Sequence, residues 1–103
     1  MKGGAFAVIK VIEPKAQYWG RLIEISPAGV IFRGIEVTMI ERYKYQIGKD
    51  DCEVFPETLF VPSRRLLCIA LDENQGTVPS VIDSIRSYTG LHDDEIMGPN
   101  THI

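Results

Sequence analysis

Two cysteines, two histidines and one tryptophan are all that 103 residues supply of the side chains that most often mark chemistry. Two thiols, Cys52 and Cys68, are too few for the disulfide framework of a small secreted domain. Long hydrophobic runs are missing too. The longest, Leu66 to Leu71, has six residues where a membrane span needs ~20. Lys2 followed by apolar residues imitates a secretory leader, but Lys10 and Glu13 interrupt it and no small-x-small cleavage pattern follows. A cytoplasmic protein with reduced thiols and no membrane contact is expected. There is no excess of positive charge either: Lys and Arg number 11 against 14 Asp and Glu, a net −3, so the composition as a whole advertises no nucleic acid.

What is present is ordinary for a globular chain. Hydrophobic residues make up 45% and charged residues 24%, which excludes disorder and low-complexity classes. The length fits one domain, here residues 1–97, with a loose, patternless tail at 98–103. Charge is uneven. Residues 1–71 carry ten basic and eight acidic side chains, whereas residues 72–103 carry one basic and six acidic.

The pattern is mainly β (α+β). Residues 5–12 are β-branched and apolar apart from Lys10, and Pro14 ends them, as in a strand. Residues 19–25 and 30–35 form two more, joined by Ser26-Pro27-Ala28-Gly29, a turn sequence in which Pro sets φ and Gly accepts a positive one. Gly20 and Gly34 fall inside these strands, where glycine marks a bend. Residues 53–61 and 65–71 complete five strands, Pro56 making the beginning of the fourth an edge or an extended approach.

Helical spacing of Ile35, Met39, Ile40, Tyr43 and Ile47 predicts a helix near 37–46. Val78, Val81, Ile82, Ile85 and Tyr88 predict a second near 79–89. Ser80 and Asp83 stand in capping-box spacing at its start, and Gly90 suits its end. Ile82, Ile85 and Tyr88 should pack on the sheet with Leu22, Phe32, Leu67 and Ile69, and Cys68 should be a small core residue.

Catalytic and metal signals are weak. His92-Asp93-Asp94-Glu95 holds ligand-type side chains, but adjacent residues point different ways and no second cluster joins them; a solvated turn with Asp93 and Asp94 capping a short final helix accounts for them. No glycine-rich phosphate loop occurs, and neither cysteine has a base nearby in sequence. Carboxylate pairs such as Asp72-Glu73 read as solvated loops. A non-catalytic protein without cofactor or metal is expected.

Two features could bind. Trp19, with Arg21 and Arg33 on facing hairpin strands, could stack bases and hold phosphates; alternatively Trp19 closes one end of the fold beneath the arginine stems. Arg64-Arg65, on a tight turn after Pro62, could hold an anion or a partner carboxylate, or simply pair with Glu57 or Asp72.

The stretches Gly20-Arg21-Leu22-Ile23-Glu24-Ile25, Val30-Ile31-Phe32, Leu59-Phe60-Val61-Pro62 and Leu66-Leu67-Cys68-Ile69 resemble the strands of Sm-like and SH3-like small barrels. The resemblance covers about half of the chain. It implies a five-stranded, strongly bent antiparallel sheet or barrel, and ring-like self-association through strand edges. The Asp and Asn with which Sm-like proteins bind RNA are replaced here by Ser26-Pro27-Ala28-Gly29. The Arg-Gly of their second motif is absent, and so is their N-terminal helix.

The reading is therefore a binding or assembly module acting through protein–protein contact or self-association, with a homo-oligomer formed through strand edges such as Leu59–Val61 and Leu66–Leu71. The alternative is a single-stranded RNA or other nucleic-acid binder using Lys10, Trp19, Arg21 and Arg33.

Overall fold

A computed structural model describes residues 4–98. Most of the tail expected at 98–103, His102 included, lies outside them. Five antiparallel strands, β1 (Phe6–Val11), β2 (Ala16–Ser26), β3 (Gly29–Glu36), β4 (Glu57–Pro62) and β5 (Leu66–Leu71), form one sheet in the order β4-β3-β2-β1-β5. The sheet is bent but not closed, so among the described residues β4 and β5 are its two edges. Among the described residues three α-helices accompany it: α1 (Ile40–Gln46), α2 (Val81–Thr89) and α3 (Asp93–Met97).

The bend arises where glycine was expected to place it. Gly20 and Gly34 face each other across β2 and β3. A Cβ on Gly20 would lie 2.1 Å from the Arg33 carbonyl oxygen and 2.5 Å from the Gly34 Cα, so only two glycines let the backbones approach this closely. A bulge between Leu22 and Glu24 adds to the curvature.

Both faces of this sheet are buried, and by different means. On the inner face Ala7, Ile9, Val11, Leu22, Val30, Phe32 and Val61 form an apolar cluster. On the outer face Phe6, Trp19 and Ile35 meet Tyr43 of α1, Ile82 and Ile85 of α2, and Ile96 and Met97 of α3. A sheet covered on both faces reads as continuous apolar runs rather than alternation, which is how β1 reads.

Several expectations are corrected here. The two helices themselves form where expected, the first as a 3-10 turn at Val37–Met39 running into α1 and the second from Val81, after its cap. Val78 precedes the helix and is exposed, and Tyr88 also faces outward. Leu22 and Phe32 belong to the inner cluster, not to the face α2 covers. Leu67 and Cys68 are exposed on edge strand β5; side chains stand above and below a sheet, and neither buried cluster extends over these two. The α2 caps form as expected: the Ser80 Oγ accepts the Asp83 N–H at 3.1 Å, and Gly90 takes the left-handed φ of 74°. α3 is capped one residue earlier than expected, at His92, whose N–H donates to the Glu95 carboxylate.

Candidate functional site

The five residues singled out for binding do not converge. Trp19 is fully buried, stacked on Phe6 with ring centres 5.5 Å apart, and offers no face to a base. It lies beneath the helices because its indole is the largest apolar group on the outer face. Arg21 and Arg33 do face each other across β2 and β3, but α3 occupies Arg21. Its Nη1 donates to Asp94 Oδ1 at 2.7 Å and to the Gly98 carbonyl at 2.8 Å, with the guanidinium 5.5 Å from the Phe6 ring centre. The Arg21 side chain is left 12% exposed. Arg33 Nη1 donates to Thr58 Oγ1 at 3.3 Å. Arg64 and Arg65 lie on the 3-10 turn joining β4 to β5, near the other end of β1, where Arg65 Nε donates to the Ile12 carbonyl at 3.1 Å.

The polar centre of the molecule is Asp72, a residue that sequence reasoning left in a solvated loop. Its Oδ1 accepts the Val81 N–H at 2.8 Å, and its Oδ2 accepts the Ile82 N–H at 2.9 Å and the Trp19 Nε1–H at 3.0 Å. Its own N–H donates to the Phe6 carbonyl at 2.9 Å, which fixes it at the end of β5. Asn74 Oδ1 accepts the Ser80 N–H at 2.7 Å. The first N–H groups of α2, the donors a helix start leaves unsatisfied, are thus taken by the protein itself, and this helix end is no anion site. Asp72 is also not the partner of Arg64-Arg65. The available clue was its place, directly after an apolar strand and just ahead of a helix cap, which is where a bridging acceptor is needed.

Other charged groups hold the helices together. Arg86 pairs with Asp93 and Asp83, and its hydrogen bond to Asp93 is the main reason its pKa is raised further. The Tyr43 hydroxyl donates to the Ile96 carbonyl. Burial pushes its pKa from 10.0 up to about 12, Cys52 adding to the rise and Arg33 opposing it. Among the described residues, no group of three or more His, Cys, Asp or Glu is placed to hold a metal ion. No helix there is long and apolar enough to cross a membrane.

The accessible apolar surface lies elsewhere. On β5 Leu67 is 62% and Leu71 44% exposed, with Cys68 and Ala70 exposed between them. On β4 Phe60 is exposed, and Phe55 before it more so. A cleft of about 440 Å³ beside the start of β4 is lined by Tyr18, Met39, Arg42, Glu53 and Phe55. A second, about 740 Å³, holds Lys10, Lys15, Gln17, Thr38 and Leu67. Tyr45 and Tyr88 meet edge to face between α1 and α2, with ring centres 5.0 Å apart. No known protein family matches the chain, and no curated protein or solved structure is significantly similar to it.

Proposed function

We propose that this protein is a non-catalytic assembly module that associates with copies of itself through its sheet edges. The observation that carries the reading is β5, an edge strand with no charged or proline residue from Leu66 to Leu71 and most of its side chains exposed. An unpaired strand of this kind is a template for another chain, and burying its leucines would stabilise the contact by ~25 cal/mol per Å² of apolar surface. The resemblance to Sm-like barrels, which assemble through strand edges, points the same way. A cytoplasmic setting belongs to the proposal, since Cys52 and Cys68 are both free thiols.

The nucleic-acid alternative has less support. Of its four carriers, Trp19 is buried and Arg21 is engaged by Asp94, leaving Lys10 and Arg33. Light scattering at micromolar concentration tests the proposal. A mass of at least twice 11.6 kDa is expected, and a mass that stays at the monomer value as concentration rises refutes it.

A further inference from the structure

Resting on that reading, we infer that the partner of β5 is β5 of a second copy, paired antiparallel about a two-fold axis at Ile69. Three observations carry this. The first is backbone direction. The Asp72 N–H points to the Phe6 carbonyl on β1. Alternate residues of an antiparallel ladder point to opposite sides, so Ile69 and Leu71 direct their N–H and C=O groups to the open edge. The second is the contrast between edges. β4 is preceded by Pro56, begins at Glu57 and ends at Pro62, the charge and missing donors with which edges are blunted. β5 has neither. A head-to-tail pairing would use the blunted edge in every contact, whereas β5 against β5 avoids it.

The third is charge. Arg64 and Arg65 precede β5, and Asp72 and Glu73 follow it. Antiparallel self-pairing sets the basic end of one strand against the acidic end of the other, twice over. A parallel arrangement would place like charges together. With the axis at Ile69, Cys68 lies opposite the partner's Ala70, and Leu67, where the bulge against β1 begins, comes opposite the partner's Leu71; the arginines of the preceding turn then lie at the end where the partner's Asp72 and the partner's Glu73 leave the strand. Ile69 and the partner's Ile69 exchange two hydrogen bonds. A closed dimer results, because an isologous contact uses the same patch on both subunits and leaves none over.

Cysteine crosslinking reads the register directly. Directly opposed residues in a non-hydrogen-bonded pair have Cα atoms ~4.5 Å apart, within disulfide reach, whereas diagonal neighbours stand ~7–8 Å apart, beyond it. The full chain carrying Ala70→Cys, oxidised mildly, is therefore expected to form a covalent dimer through Cys68. The wild type should not, and adding Cys68→Ser should abolish the crosslink. The exposed substitution Leu67→Lys should weaken the dimer at least tenfold in sedimentation while leaving the far-ultraviolet spectrum unchanged. A crosslink that persists with Cys68→Ser places the axis elsewhere and overturns the register. An oligomer that crosslinks instead between Phe60→Cys on β4 and Cys68 overturns β5 self-pairing while self-association stands. A protein monomeric at every concentration refutes both.

Discussion

Each face of the sheet carries a buried apolar cluster, but the two are differently built. The inner face is closed by backbone shape: Gly20 against Gly34 and the bulge after Leu22 curl the strands around Leu22, Val30 and Phe32. The outer face is closed by separate helices, and these are held by polar contacts at defined atoms: Asp72 to α2 and Trp19, Arg21 to α3, and Tyr43 to the Ile96 carbonyl. Apolar contact supplies most of the stabilisation on both faces. The outer face needs polar contacts as well, because helices only five to nine residues long have little intrinsic stability, and of the three only α1 runs on directly from a strand.

The largest expected effect tests the outer layer. Ile85 is fully buried among Trp19, Ile82 and Ile96, and Ile85→Asp leaves a carboxylate there without a partner. The cost should be about 3–5 kcal/mol, seen as a large drop in melting temperature and a red shift of Trp19 fluorescence. An unchanged melting temperature would remove α2 from the core. On the inner side Gly20→Ala is next, at about 3 kcal/mol, because the atoms its Cβ meets are backbone and cannot swing away. A wild-type melting curve would show that the curl does not depend on this crossing.

Asp72→Ala is smaller and more local. It leaves two N–H groups at the start of α2 and the Trp19 indole N–H without their acceptor, for about 2 kcal/mol. Hydrogen exchange at Val81 and Ile82 should accelerate while β2 and β3 stay protected. Uniform acceleration through the sheet would mean that the two layers open together and the distinction between them fails.

The strands and α2 were legible in the sequence because their signals are local: β-branched runs, the Pro27-Ala28-Gly29 turn, and a Ser80 cap with Gly90 at the far end. The allocation of residues to faces was not. A sheet buried on both sides gives no alternation to read, so Leu22 and Phe32 were assigned beneath α2 when they lie on the opposite face. Cys68 and Leu67 were misplaced for a related reason, since an apolar strand looks the same at the centre of a sheet and at its edge. Arg21 opposite Arg33 was visible as a register. That α3 would occupy Arg21 was not, because Asp94 lies 73 positions away in the chain and only the tertiary fold joins them.

The smallest effect isolates one polar contact of the outer layer and carries a pH signature. Tyr43→Phe removes the hydrogen bond to the Ile96 carbonyl and should cost about 1 kcal/mol at neutral pH. The folded state holds the phenol proton up to about 12, whereas the ordinary value is 10.0. Between these values the unfolded chain releases a proton that the folded one retains, so stability falls with rising pH. This contribution is complete below pH 10 and is lost as the pH approaches 12. The variant lacks it. The stability gap between wild type and Tyr43→Phe, measured by denaturant unfolding at pH 7 and across pH 10 to 12, should therefore narrow over that interval. A gap constant to pH 12 would mean that this hydroxyl titrates alike in both states and that the outer layer is wetter than the inner one.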